Sequence, residues 1–188
     1  MKKVLVIDNY DSFVYNMVHY LEAFSCDVQV RRNDQFLMGE AENYDKILLS
    51  PGPGLPDEAG LLKALVKEFA PTKSILGICL GQQAIAEVFG GSLINLESVY
   101  HGISMLATQV VDDEPLFKNL PKTFPVGRYH SWTVNHDLPK CLETTSVDEN
   151  NCILSLRHRN FDLRAVQFHP ESILTPHGKT IVQNWLES

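Results

Sequence analysis

Ser74-Ile-Leu-Gly-Ile-Cys-Leu-Gly-Gln-Gln-Ala-Ile-Ala-Glu-Val-Phe89 decides the fold. Its first five residues form a short apolar run of strand length, and the remainder carries good helix formers up to the Gly90-Gly91 stop. A strand passing directly into a helix, with Gly77 and Gly81 on either side of Cys79, marks a sharp turn at the end of a sheet. Upstream the same alternation repeats. Val4-Leu-Val-Ile7 reads as a buried strand, and Asp11 or Ser12 can cap a helix whose apolar positions are Phe13, Met17, Tyr20, Leu21 and Phe24. Val28 and Val30 alternate in a second strand, and Ile47-Leu48-Leu49 is a third, stopped by Ser50-Pro-Gly-Pro-Gly54. A helix from about Glu58 to Phe69 follows. Strand, helix, strand, helix implies parallel strands joined by crossover helices.

Downstream the pattern changes. Residues 105–111, 126–134, 152–157 and 163–168 are strand-like with few helical intervals, and His177 to Leu186 reads as a closing helix. The expected class is α/β: an open, mostly parallel central sheet with helices on both faces, a flavodoxin-like core and a small antiparallel flank. No repeat, low-complexity stretch or linker divides residues 1–188, so a single domain is expected.

Composition narrows the function. Lys+Arg 16 against Asp+Glu 23 gives a net charge of −7, the wrong sign for nucleic acid or an anionic membrane as main partner. The apolar run after Lys2-Lys3 ends at Asp8, too short for a signal core, and no stretch is long enough to span a membrane. The four cysteines, Cys26, Cys79, Cys141 and Cys152, are scattered without a C-x-x-C pair. Free thiols in the reducing cytoplasm are therefore expected.

Cys79 sits where a nucleophile elbow would place it. The following helix N-terminus favours a thiolate, and the Leu80 amide could hold an oxyanion. A small buried thiol between two glycines is the competing interpretation. Near the C-terminus, Phe168-His-Pro-Glu-Ser172 ends a strand, and on an extended backbone His169 and Glu171 project to one side. Pro170 stiffens the pair, and a carboxylate beside an imidazole selects its tautomer. A surface His–Glu pair is the plain alternative; the three residues form no recognisable metal-ligand spacing. The Ser50–Gly54 loop would line the cleft of a parallel sheet and offers Gly52 and Gly54 as amide donors, although a Pro-Gly cluster is also an ordinary structural turn. It lacks the Lys-Ser/Thr ending of a phosphate loop.

Five segments together resemble the class I, triad-type glutamine amidotransferases, and most nearly the small glutaminase subunit of anthranilate synthase and aminodeoxychorismate synthase. They are Asp8-Asn-Tyr-Asp-Ser-Phe13, Ser50-Pro-Gly-Pro-Gly54, Gly77-Ile-Cys-Leu-Gly-Gln-Gln83, Arg128-Tyr-His-Ser131 and Gln167-Phe-His-Pro-Glu-Ser172, and they cover essentially the whole chain. The resemblance implies Cys79 as nucleophile, His169 as general base and acid, and Glu171 as its orienter. Gly52 and Leu80 would form the oxyanion hole. Gly52, Gly54, Gln83, Ser131 and Trp132 would hold L-glutamine, with no metal and no organic cofactor. It also implies a separate, large chorismate-utilising synthase subunit that receives the ammonia, since the glutaminase fold uses essentially all 188 residues. Anthranilate synthase component II is the leading expectation, with aminodeoxychorismate synthase component II beside it. A stand-alone γ-glutamyl hydrolase and a non-enzymatic cysteine sensor are the outside alternatives. Two positions depart from the family pattern: Ile103 stands where Lys is usual after His101-Gly102, and Trp132 where Leu usually follows His-Ser.

Overall fold

The computed structural model describes residues 1–96 and 100–188. Its strands are β1 (Lys3–Asp8), β2 (Asp27–Arg32), β3 (Lys46–Leu49), β4 (Ser74–Ile78), β5 (Leu93–Asn95), β6 (Ile103–Gln109), β7 (Thr123–Arg128), β8 (Trp132–Val134), β9 (Leu142–Val147), β10 (Ile153–His158) and β11 (Leu163–Val166). The helices are α1 (Val14–Ala23), α2 (Leu62–Phe69), α3 (Leu80–Val88) and α4 (Gly178–Glu187). Nine strands form one sheet in the order β2-β1-β3-β4-β11-β10-β9-β6-β7, and β5 pairs with β8 in a separate two-stranded ladder.

The run from β2 to β11 is parallel throughout. From β10 onward every pairing is antiparallel. The antiparallel strands thus both continue the main sheet and form the small flank. Period-two alternation divides the core between the two faces. Leu5, Ile7, Ile47, Leu49 and Ile75 pack with α2 and α3. Val4, Val6, Leu48, Leu76 and Ile78 pack with α1 and α4. Helices on both faces explain why the central strands read as continuous apolar runs.

Several boundaries differ from the sequence expectation. The second helix starts at Leu62, because Pro56–Glu58 forms a separate 3₁₀ turn and Gly60 takes a positive φ of 53° between them. Neither Asp11 nor Ser12 caps α1; Phe13 occupies that position without a side-chain cap, while Asp11 Oδ2 accepts the Phe13 amide. The 126–134 stretch is two strands in two different sheets, separated by Tyr129-His130-Ser131. β9 was not anticipated: its Thr144-Thr145-Ser146 centre lacks an apolar signature, yet Thr145 and Ser146 are buried and both bond the Ser155 hydroxyl. No helix among the described residues is long and apolar enough to cross a membrane.

Candidate active site

The strand ends of the parallel run converge on one cleft, as the topology of open α/β sheets requires. Cys79 follows β4 and adopts φ 52°, ψ −100°, a strained conformation for a residue with a side chain. Its amide is anchored on the Val166 carbonyl at 2.8 Å, which ties the elbow to β11. The flanking glycines are sterically required. A Cβ on Gly77 would lie 2.7 Å from the Gly81 carbonyl carbon, and one on Gly81 would lie 2.8 Å from the Leu49 carbonyl oxygen. Leu80 is the first residue of α3, so its N–H has no intrahelical acceptor.

His169 and Glu171 meet, but not on an extended strand. β11 ends at Val166, and the chain then bends so that the His169 amide donates to Gly127 O at 3.0 Å. The Ser172 amide closes a turn onto His169 O at 3.1 Å, and the Thr175 hydroxyl donates to the same oxygen at 2.7 Å. This turn sets Glu171 Oε1 2.6 Å from His169 Nδ1. Both side chains are buried, and the Tyr129 ring packs edge-on against the imidazole with centroids 4.9 Å apart. With Nδ1 engaged, Nε2 is buried without a hydrogen-bond partner among the described residues. It belongs to the same cleft as Cys79. Burial alone would hold the imidazole neutral. The Cys79 thiol and the Glu171 carboxylate outweigh it, raising the His169 pKa to about 10.

A cavity of about 470 Å³ contains this pair, lined also by Asp11, Gly52, His101 and Tyr129. Gly52 is held by a weld between two strand ends. The Asn9 amide donates to Ser50 Oγ at 2.9 Å, Asn9 Nδ2 donates to Ser50 O at 2.7 Å, and Asn33 Nδ2 donates to Asn9 Oδ1 at 3.0 Å. A Cβ on Gly52 would fall 2.4 Å from the Asn9 carbonyl oxygen and 3.0 Å from Leu80 Cδ2, so only glycine brings this loop against the elbow. Asp11 sits where burial, and then the Glu171 carboxylate, raise its pKa.

The other residues named from sequence lie around this centre in different ways. Gly54 is exposed on the outer side of the loop beside Glu58. Gln83 is buried behind the elbow, its Nε2 donating to Trp132 O at 2.9 Å. Ser131 O accepts the Leu96 amide, and Trp132 begins β8 against Asn95. Of the two departures from the family pattern, Ile103 is exposed at the start of β6, and Trp132 is half-buried. Sequence reasoning did not single out Asn9, Asp11, His101 or Tyr129 for the cleft. The first two lie in the Asp8–Phe13 segment and Tyr129 in the Arg128–Ser131 segment, so a signal was present; His101 carried none beyond its neighbouring glycine.

Residues 5–188 match the family model described as glutamine amidotransferase class-I. The chain belongs to that family. It is 41% identical to aminodeoxychorismate synthase component 2 of Escherichia coli, over 97% of this chain and 98% of that protein. Anthranilate synthase component 2 of Thermus thermophilus is 43% identical over 98% of this chain and 92% of its own length. A Bacillus subtilis relative, aminodeoxychorismate/anthranilate synthase component 2, is 40% identical over 98% and 96%. Among solved structures, a Thermoplasma acidophilum protein assigned to GMP synthase superposes with a TM-score of 0.89 at 26% identity, covering 100% of this chain and 93% of that one. The protein is a class I glutamine amidotransferase with relatives named as component 2 of anthranilate synthase and of aminodeoxychorismate synthase, and it shares its fold with the Thermoplasma structure.

Proposed function

We propose that this amidotransferase hydrolyses L-glutamine at Cys79, His169 and Glu171 and passes the ammonia to a separate large synthase that acts on chorismate. The observation that carries the assignment is the convergence of a strained, buried thiol and a carboxylate-bound imidazole with a free Nε2 in one cavity. In this scheme the Cys79 thiolate attacks the side-chain amide carbon, and the Gly52 and Leu80 N–H groups receive the oxyanion. His169 Nε2 gives its proton to the departing ammonia, leaving a glutamyl thioester. It then takes a proton from water, whose oxygen attacks the thioester and releases glutamate and the Cys79 sulfur. Glu171 holds the ring through Nδ1 and stabilises imidazolium, and it stays ionised. No metal or organic cofactor enters these steps.

Gln83 and the Ser131-Trp132 backbone, with Gly52 and Gly54 of the loop after β3, are assigned to hold the glutamine substrate. The whole chain acts as one domain in the cytoplasm. Anthranilate synthase component II is the favoured pathway assignment. Aminodeoxychorismate synthase component II stands beside it because relatives of nearly equal identity carry each name, and one carries both.

The test is to purify the chain with each candidate large synthase and measure product formation from chorismate with glutamine or with ammonium salt. Cys79→Ser should abolish the glutamine-dependent rate and leave the ammonium-dependent rate intact. Loss of both in a folded complex would contradict the divided roles. The large synthase that yields glutamine-dependent product names the pathway.

A further inference from the structure

Behind the elbow lies a buried polar chain to which the proposed steps assign no bond made or broken. Gln167 Nε2 donates to Cys79 Sγ at 3.4 Å, and Gln167 Oε1 accepts from Gln83 Nε2 at 3.3 Å. Gln83 Nε2 also donates to Trp132 O at 2.9 Å. That carbonyl takes a second donor, His130 Nδ1, at 2.8 Å. His130 Nε2 in turn accepts Arg128 Nε at 2.9 Å, and Arg128 is paired with Asp148 at 2.5 Å. The side chains of Cys79, Gln167, Gln83, His130, Arg128 and Asp148 are all buried, Arg128 and Gln167 completely.

Donor and acceptor chemistry gives the chain a direction. A guanidinium can only donate, so His130 Nε2 must be the acceptor and Nδ1 must carry the proton. The Trp132 carbonyl can only accept, so the –NH₂ end of Gln83 must face it. That end also meets Gln167, whose oxygen must therefore turn toward Gln83 and its –NH₂ toward the sulfur. The imidazole accepts from Arg128 only as the neutral ring, and its pKa is lowered to about 3 by burial and by the adjacent Arg128. The Tyr100 ring lies over the Arg128 guanidinium, 3.9 Å from its carbon, and closes the far end.

We propose that Gln167 is a further catalytic residue, donating a hydrogen bond that stabilises the Cys79 thiolate, with Gln83 as the positioning residue that, held on the Trp132 carbonyl, fixes which end of the Gln167 amide meets the sulfur. A hydrogen bond to a charged acceptor is stronger than one to a neutral thiol, so it favours the nucleophilic form. The inference rests on Cys79 being the nucleophile. The other titratable groups lining the cavity with that sulfur, Asp11, His101, Tyr129, His169 and Glu171, are left in place by changes at Gln167.

The test measures the thiol without turnover. Alkylation of Cys79 by iodoacetamide is followed from pH 5 to 10 by peptide-resolved mass spectrometry, which separates it from Cys26, Cys141 and Cys152. Gln167→Met keeps the side-chain length but cannot donate. It should raise the midpoint of the Cys79 profile by about one pH unit and lower kcat for glutamine about tenfold, with KM changed less than about twofold. Gln167→Glu, nearly isosteric and unable to donate when ionised, should raise the midpoint further, and carries the test if the Met variant does not fold. Gln83→Met, which removes the donor that orients Gln167, should shift the midpoint in the same direction by less. An unchanged midpoint in a folded Gln167 variant overturns the inference and leaves Cys79 as nucleophile. Survival of glutamine-dependent synthesis in Cys79→Ser instead overturns the assignment beneath it.

Discussion

Acidification should weaken the fold through one residue, His130. It is buried, and its imidazole accepts from Arg128 on one nitrogen and donates to the Trp132 carbonyl with the other. A second proton would have to sit on the nitrogen that faces a guanidinium. Burial and Arg128 accordingly lower its pKa from 6.5 to about 3. Between those values the unfolded chain binds a proton that the folded chain refuses, so stability falls as pH drops below about 6.5 and the loss levels off near pH 3. Linkage over that interval gives about 2 kcal/mol at pH 5 and almost nothing at pH 7.

Other groups titrate in the same range. His169 works in the opposite sense: its raised pKa means that its contribution is fully present below the unfolded value and is lost as pH rises toward about 10. A comparison with His130→Gln cancels these shared contributions. Urea denaturation of both proteins at pH 7, 6 and 5 is the assay. The stability of the native protein relative to His130→Gln should decline by about 2 kcal/mol from pH 7 to pH 5. Parallel stability curves across that range would refute the neutral, tautomer-locked His130.

Gly52→Ala should reduce glutamine-dependent turnover about 100-fold or more, because its Cβ collides with the Asn9 carbonyl and displaces an oxyanion donor; steady-state kinetics of the complex check this, and ammonium-dependent synthesis should not change. Arg128→Met leaves the Asp148 carboxylate, whose side chain is 0% exposed, with only the Asn150 and Cys152 amides as partners, and should cost about 3–5 kcal/mol by denaturant titration.

The parallel half of the sheet was readable because its strands are buried on both faces. Val4–Ile7, Ile47–Leu49 and Ser74–Ile78 are short apolar runs interrupted by helices, and a right-handed crossover leaves them few ways to pair. The antiparallel half was harder. β9 contributes Thr145 and Ser146 to the interior, where hydroxyls satisfy one another with Ser155, so apolar periodicity carried no trace of it. The 126–134 run looked like one strand because local propensity cannot register that its two ends pair with different partners.

The site divided along the same line. Cys79 between its glycines and the His169-Pro-Glu171 triplet are local patterns, and a local pattern records what the backbone must do at a turn. Asn9, Asn33 and the Gln167–Gln83–His130–Arg128 path could not be found that way. Each of their hydrogen bonds acquires meaning only from a partner on another element.

By itself, then, the amino-acid order determined the elements of the α/β core, the elbow at Cys79 and the family, because these depend on steric and hydrophobic constraints acting within a few residues. Tertiary structure alone decided that His169 turns its free nitrogen into the cleft of Cys79, that Gly52 is pressed against Asn9, and that a buried chain of amides and imidazole ends on the sulfur. The physical reason is that hydrogen bonding and desolvation in the interior are set by neighbours in space, and Gln167, the hydrogen-bond donor to Cys79, lies 88 residues away along the chain.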